Sequence, residues 1–179
     1  MHPIAPPRPG VDRASTPQLV LRDGSVASVR SATRADVAAL KQFFHGLSSA
    51  SRYQRFLTAG EPPETVVERL SDSSDPSRSL TFIAERAAGD GLRIIATASY
   101  IAVAADAAEV AFAVADEFQG KGLGTALLER LAVAAAARGM RRFQAVTLGD
   151  NTRMLEVFRD SGFEIRDRKS TRLNSSHRL

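Results

Sequence analysis

The residues with the clearest chemical potential form a glycine-rich turn, Gln119-Gly120-Lys121-Gly122-Leu123-Gly124-Thr125. An apolar run that ends at Ala115 precedes this turn, and a helix-forming stretch follows it to Arg138. The first turn of a helix leaves backbone N–H groups unpaired and carries about half a positive charge. Glycine lets such a backbone approach a phosphate closely. The pattern therefore predicts a pyrophosphate site, although a glycine turn that serves only packing has the same composition.

Two common phosphate-binding motifs do not account for this turn. A Walker A loop requires G-x-x-x-x-G-K-[ST], which the sequence lacks. The dinucleotide fingerprint requires G-x-G-x-x-G, whereas Gly120, Gly122 and Gly124 alternate. The next predicted strand, Arg141–Leu148, also lacks the acidic residue that binds a ribose. The turn is therefore expected to bind another class of phosphate-bearing ligand.

The spacing that fits the turn is Q-x-x-G-x-G, at Gln119, Gly122 and Gly124. With the strands before it and the helix after it, the chain from about residue 26 to residue 166 resembles the GNAT superfamily of N-acetyltransferases. In that family this motif binds the pyrophosphate of acetyl-CoA. The resemblance implies acetyl-CoA as co-substrate and no metal.

The resemblance also implies individual contacts to acetyl-CoA. Backbone groups of Phe112 and Val114 would pair with the pantetheine arm, as an added strand would. Lys121 adds charge to the site or is only a solvated lysine, and Asn151 contacts the cofactor or only caps a helix. Phe158 stands where many members have a proton-donating tyrosine, so it would pack against the cofactor instead. The expected cofactor-binding set is Phe112, Val114, Gln119, Gly120, Lys121, Gly122, Leu123, Gly124, Thr125, Asn151 and Phe158.

Glu109 is the candidate catalytic residue. The chemistry implied by the resemblance is attack by an amine on a thioester, and a lysine-like amine with a pKa of about 10.4 must first lose a proton. Glu109 lies in an otherwise apolar run, where burial would raise the pKa of a carboxyl group and suit a general base. A subset of the family carries its catalytic glutamate on this strand. The alternative is a glutamate at a strand mouth that only faces water.

The segment from Phe43 to Phe56 resembles the first two helices of GNAT domains in bacterial protein lysine acetyltransferases, which modify acyl-CoA synthetases. The resemblance implies protein lysine as acceptor, with Arg52, Tyr53 and Arg55 as substrate contacts on an acidic partner surface. Helix-packing aromatics with solvated arginines are the alternative. Two other functions stay open: acetylation of a small-molecule or N-terminal amine, and acyl-CoA sensing without turnover.

Composition limits the other functions. The 179 residues are 44% hydrophobic and 25% charged, which suits one globular domain. Of the net charge of +4, +3 lies in residues 167–179, which leaves +1 and argues against a nucleic-acid partner. No cysteine is present, and two of the three histidines lie near the chain ends. No apolar run reaches the roughly 20 residues of a membrane span, so no membrane partner and a cytoplasmic location are expected.

The predicted organisation has three parts. Residues 1–17 are a proline-rich disordered lead-in, residues 18–166 form the GNAT domain, and residues 167–179 are a non-native tail. The string from Asp167 to His177 resembles a translated sequencing adapter, with a natural basic tail as the alternative. The fold class is α/β of the α+β type, with a mixed, mostly antiparallel sheet flanked by helices. Its final strand is expected to be missing, which would leave an unpaired sheet edge.

Overall fold

A computed structural model describes residues 17–58, 60–89, 91–147, 151–160, 166–168 and 173–178. These residues form one eight-stranded sheet with the order β1-β2-β3-β4-β5-β6-β8-β7. The strands are β1 Gln18–Val20, β2 Val26–Ser31, β3 Ser79–Ala88, β4 Gly91–Ala104, β5 Ala107–Val114, β6 Arg142–Thr147, β7 Arg166–Arg168 and β8 Leu173–Arg178. The helices are α1 Val37–His45, α2 Ser49–Phe56, α3 Glu64–Ser71, α4 Leu123–Ala136 and α5 Thr152–Asp160.

The predicted fold class is confirmed. Neighbouring strands are antiparallel except for β5 and β6, which run parallel. A turn at Asp23-Gly24 joins β1 to β2, and Gly24 takes the φ of +78° that this turn requires. The proline-rich lead-in, apart from Pro17, lies outside the described residues. Within the described residues, no helix is long and apolar enough to span a bilayer.

The expectation that a final strand is missing is wrong. Strand β8 pairs with β6 along its length, from Arg142 opposite Arg178 to Thr147 opposite Leu173, and β7 pairs with the other edge of β8. Strand pairing uses main-chain N–H and C=O groups, so an extended segment without proline can form it whatever its side chains. The pairing segment includes the string that resembles an adapter, whose origin stays a prediction.

Helices cover both faces of the sheet. On one face, Leu127, Leu128 and Leu131 of α4 are fully buried against a core that includes Tyr100 and Phe143. On the other face, α1 and α3 form a second core around Leu40, Phe44, Val67 and Ile83. This arrangement fixes the start of α4 at the carboxyl end of β5.

A buried ion network joins the second face to the sheet. The Arg30 guanidinium donates two hydrogen bonds to Asp36, of 2.7 and 2.8 Å, and two to Glu85, of 2.7 and 2.9 Å. Asp36 also accepts the Thr33 amide at 2.8 Å, which completes a capping arrangement before α1. Burial alone would raise the pKa of the Asp36 carboxyl group. The hydrogen bonds from Arg30 and Thr33 outweigh burial, so the pKa of Asp36 is lowered.

Strands β5 and β6 pair only at their first residues. Ala107 to Glu109 lie opposite Arg142 to Gln144, and β5 then continues to Val114 without a described β6 partner. Strand β4 pairs with the opposite edge of β5 as far as Val114. The sheet therefore opens between β5 and β6 into a wedge, with Glu109 at its closed end.

Candidate functional site

The helix α4 begins with backbone amides that no side chain of the described residues caps. Gly120 has a φ of +75° and Gly122, at the N-cap, a φ of +87°, conformations that favour glycine. The first intrahelical bond runs from the Ala126 amide to the Gly122 carbonyl, at 3.1 Å. The amides of Leu123 to Thr125 come before this bond, so the helix has no carbonyl one turn earlier that could accept a hydrogen bond from them. Together with the helix dipole, they form a site suited to an anion.

Gly124 is required for a different reason. A Cβ atom at this position would lie 3.0 Å from Val157 Cγ2 and 3.6 Å from Val157 Cγ1. Helix α5 thus packs so closely on the first turn of α4 that a Cβ at residue 124 would require the Val157 side chain to move by a few tenths of an ångström. The close approach makes α5 one wall of a cleft over the glycine turn.

This cleft occupies about 1010 Å³, including its open mouth, between the end of β5, the glycine turn, α2 and α5. Most of the residues expected to hold acetyl-CoA line it. They are Phe112, Val114, Gln119, Gly120, Gly122, Leu123, Gly124, Thr125 and Asn151. The structure thus brings the end of the strand, the turn and the start of α5 to one concave surface.

The edge of β5 that faces the wedge carries main-chain groups that pair with no strand of the described residues beyond Glu109. The Ala115 amide donates to the Ile95 carbonyl at 2.9 Å, so the odd-numbered residues of β5 direct their main-chain bonds toward β4. In an antiparallel ladder the intervening residues, here Phe112 and Val114, direct theirs the other way. Of these, the Val114 carbonyl accepts Gln119 Nε2 at 3.1 Å. This edge can therefore pair with an extended, amide-bearing ligand.

Gln119 and Asp116 tie α2 to the glycine turn. Besides Val114, Gln119 Nε2 donates to Ser51 Oγ at 3.1 Å, and Gln119 Oε1 accepts a bond from Arg153. Asp116 accepts the Ser48 amide at 2.9 Å and the Ser51 hydroxyl at 2.7 Å. Burial alone would raise the pKa of the Asp116 carboxyl group. The hydrogen bonds from the start of α2 outweigh burial, so the pKa of Asp116 is lowered. The turn is thus held in place before any ligand arrives.

Two residues of the expected set do not line the cleft. Lys121 Nζ pairs with Asp23 at 2.9 Å and lies 4.9 Å from the centre of the Phe118 ring. Its charge therefore holds the β1–β2 hairpin against the turn. Phe158 is fully buried in the core, edge-on to Phe112 with ring centres 6.3 Å apart. It supports the floor of the cleft from behind, because a phenyl ring finds more apolar contact there than at the cleft surface.

Asn151 caps α5 and also lines the cleft. Its Oδ1 accepts the Met154 amide at 3.1 Å, so it caps α5. It also lines the cleft, where it is 5% exposed. One side chain thus fixes the start of α5 against the turn and forms part of the cleft wall.

Two cations at the cleft were not found by sequence reasoning. Arg22 comes from the β1–β2 hairpin, where its amide donates to the Lys121 carbonyl at 3.1 Å, and its side chain passes beside Gly122. Arg153 comes from the first turn of α5. Neither belongs to the glycine motif, so only the packing of distant elements reveals them.

Glu109 is exposed, not buried as expected. The apolar residues directly before and after Glu109 face the opposite side of β5, because side chains alternate along a strand. Ala111 and Ala113 share its face of β5, and Ala113 lines the cleft four residues away, about 13 Å along the strand. Glu109 itself lies outside the cleft lining, at the closed end of the wedge. A row of alanines therefore leaves space between the anion site and an open carboxylate.

The arginines of α2 do not face outward as expected. Arg52 Nη1 donates to the His45 carbonyl at 3.3 Å and lies 3.6 Å from Glu61. Arg55 lines the cleft and donates from Nη2 to Ser99 Oγ at 3.1 Å. Helix α2 lies across β5, so positions 52 and 55, which share one helix face, turn toward the domain. Tyr53, which is 43% exposed, faces solvent.

Comparisons with known proteins agree with this geometry. A model described as "Acetyltransferase (GNAT) family" matches residues 47–163. Acetyltransferase Pat of Mycolicibacterium smegmatis is 34% identical over 112 residues, which are 62% of this chain and 33% of that protein. The chain thus spans about one third of the length of that relative. Acetyltransferase PA5475 of Pseudomonas aeruginosa is 30% identical over 145 residues, 80% of this chain and 77% of that protein.

A solved structure extends the likeness to the fold. The crystal structure of the GNAT domain of S. lividans PAT matches with a TM-score of 0.82 and 32% sequence identity. The match covers 95% of this chain and 100% of that one. Sequence, fold and the uncapped start of α4 lead to the same assignment: the chain belongs to the GNAT family of acetyltransferases.

Proposed function

We propose that this chain transfers an acetyl group from acetyl-CoA to an amine, with a protein lysine as acceptor and Glu109 as general base. One observation carries the proposal: the uncapped amides of α4 open into a wedge that ends at an exposed carboxylate. A diphosphate with an extended amide-bearing arm fits that combination, because it needs an anion site and a free strand edge in line.

Specific groups of the chain would hold acetyl-CoA. The amides of Leu123 to Thr125 would bind the diphosphate, and the edge of β5 at Phe112 and Val114 would pair with the pantetheine arm. Arg22 and Arg153, at the cleft lining, add positive charge. Bound acetyl-CoA supplies an acyl thioester, which the arm would direct along the alanine row toward Glu109.

The chain's own chemistry is removal of a proton from the acceptor. Glu109 is exposed, so it can take the ammonium proton directly or through one water molecule. The neutral amine nitrogen then bonds to the acyl carbon as the carbon–sulfur bond breaks, CoA leaves as its thiolate, and the nitrogen's second proton passes to solvent water. Phe158 is buried and has no proton to donate, so the thiolate leaves without an acid at that position.

A lysine on a protein surface suits this site geometrically. Glu109 is exposed at the closed end of the wedge, and a long side chain can reach it without unfolding of the protein that carries it. The Pat relatives, whose sequences and structure match this chain, support the choice. An acyl-CoA synthetase-like protein, as expected from the α1–α2 segment, remains the proposed partner class.

The test measures CoA release from acetyl-CoA with lysine-bearing protein, small-amine and N-terminal-amine acceptors. Glu109→Gln should lower kcat/KM by about 10²-fold or more, as expected for loss of a general base, while acetyl-CoA still binds. Glu129→Gln, which changes an exposed glutamate of α4, is the matched control and should keep full activity. Full turnover by Glu109→Gln at neutral pH would refute the base assignment. Acetyl-CoA binding without CoA release for any amine would identify a sensing module instead.

A further inference from the structure

Arg55 is a partly buried cation that uses few of its hydrogen-bond donors on the described residues. A guanidinium has five N–H donors. In Arg55, Nη2 donates to Ser99 Oγ at 3.1 Å, and the Phe56 ring lies 4.9 Å from Cζ. Its Nε is buried without a hydrogen-bond partner, and no carboxylate of the described residues forms an ion pair with it within 4.0 Å. Such an arrangement is costly unless a ligand completes it.

A second unpartnered group lies in the same region. Thr97 is 2% exposed, and its hydroxyl oxygen has no hydrogen-bond partner within the part of the chain that the structure describes. Thr97 and Ser99 are two residues apart on β4, so both side chains lie on the same face of the sheet. This is the face on which Ser99 accepts the hydrogen bond from the Arg55 guanidinium. Of the three buried side-chain polar atoms without a partner among the described residues, two therefore belong to this cluster.

The cluster lies at the level of the reacting group, beyond the anion site of α4. Ser99 is opposite Ala111 in the β4–β5 ladder, and its hydroxyl donates to the Ala111 carbonyl at 3.4 Å. Ala111 is midway between Ala113 in the cleft and Glu109, about 7 Å along the strand from each. The diphosphate would bind past the far end of β5. An anion that meets Arg55 must therefore come from the acyl group or from the acceptor.

We propose that Arg55, with Ser99 and Thr97, forms a carboxylate-binding subsite beside the reacting centre. A carboxylate matches the planar fork of a guanidinium and can take the unused donors. The proposal rests on the proposed function, since it assumes acyl transfer at Glu109. The carboxylate belongs either to the acyl group, as in a dicarboxylic acid monothioester of CoA, or to the amine acceptor.

The electrostatics agree with this assignment. Burial lowers the pKa of Arg55 to about 10, and the charge of Glu109 opposes that shift without forming an ion pair. In the transfer itself the carboxylate is unchanged. The amine nitrogen bonds to the acyl carbon, the carbon–sulfur bond breaks, CoA leaves as thiolate and the amine proton passes to Glu109. The subsite would act by selecting and orienting the substrate.

The experiment is titration calorimetry with two matched pairs of ligands. The first pair is S-(3-carboxypropyl)-CoA and S-butyl-CoA, stable thioethers that differ by a carboxylate in place of a methyl group. The second pair is 4-aminobutyrate and butylamine, each titrated into protein saturated with CoA. The unmodified protein should bind the carboxylate member of one pair at least about tenfold more tightly, as a charge-assisted bond predicts. The pair that shows the preference identifies the source.

Variants then assign the preference to Arg55. Arg55→Gln should abolish it and Arg55→Lys should retain part of it, because lysine keeps the charge without the fork. Arg153→Gln, at another part of the cleft, should weaken both thioethers equally. Equal affinities of the unmodified protein within both pairs would overturn the subsite without any variant. A preference that survives in Arg55→Gln would overturn it too, whereas binding of no CoA species would refute the proposed function itself.

Discussion

At the scale of single residues, Arg30 has the clearest energetic role. Its guanidinium neutralises Asp36 and Glu85, whose side chains are 11% and 9% exposed. Arg30→Met should destabilise the protein by about 3 kcal/mol, because removing one partner leaves buried charges uncompensated. Urea denaturation at pH 7 measures this effect. Arg34→Met is the matched control: its guanidinium also pairs at 2.7 Å with an aspartate, Asp72, but is 80% exposed. It should cost far less than Arg30→Met, because solvent screens an exposed ion pair, and equal losses would contradict the burial argument.

Asp36 gives a pH dependence with a defined sign. Its pKa is lowered in the folded protein relative to an unfolded value of about 3.9. The resulting stabilisation is complete above the unfolded pKa and is lost as the pH falls through the folded pKa. The free energy of unfolding, measured by urea from pH 7 to pH 2.5, should fall below about pH 4. Asp36→Asn should lower the plateau and reduce this slope. An unchanged slope in Asp36→Asn would assign the acid sensitivity to other carboxylates.

The residues of the turn show what residue type and spacing can predict. Gln119, Gly122 and Gly124 were identified because a helix start that binds an anion is a local feature, encoded in consecutive residues. Lys121 shared that spacing, yet its charge faces Asp23 on a distant hairpin. Arg22 reaches the cleft from the same hairpin. The packing of the hairpin on the turn decides which of these two cations lines the cleft. No local sequence pattern encodes that packing.

At the scale of elements, α4 offers a test with an internal control. Gly122 and Gly139 lie just outside its two ends with φ of +87° and +83°. Alanine at either position should cost about 1–2 kcal/mol, since a left-handed conformation strains a residue with a Cβ. Only Gly122→Ala should also weaken CoA binding, by about tenfold, because it displaces amides that bind a charged group. Calorimetry with CoA and thermal unfolding separate the two effects. Equal CoA affinity in both variants would move the diphosphate away from this turn.

Helix α2 shows where element prediction fails. Its helical character and its neighbours in the sequence were predictable, but the direction of its arginines was not. Ser51 and Arg55 are one turn apart, and Ser51 contacts Asp116 and Gln119 beyond β5. Those contacts rotate the helix so that Arg55 enters the domain. The same limit applies to Glu109: alternation along β5 sets the face on which its side chain lies, but its exposure depends on the packing of other elements, which the local sequence does not encode.

At the scale of the whole molecule, the sheet depends on a strand of unremarkable sequence. Strand β8 lies between β6 and β7 and uses main-chain bonds on both edges. The composition of this segment indicated a tail, because pairing with β6 is a long-range feature that needs only an available sheet edge. The wedge also depends on β8. Because β8 pairs with the edge of β6 that faces away from β5, β6 stays in the sheet while it diverges from β5.

Proline at Ser175 tests this role of β8. Ser175 lies opposite Ala145, inside the eight-stranded sheet, where proline removes a donor and is poorly tolerated. Ser175→Pro should lower Tm by about 2–4 °C per kcal/mol lost and speed hydrogen exchange of the β6 amides. Ser175→Thr, which favours strands, should leave both unchanged. If β8 closes the sheet, the proline variant should also aggregate more readily, since β6 then presents an open edge. Identical Tm, exchange and solubility in both variants would mean that the sheet ends at β6 in solution.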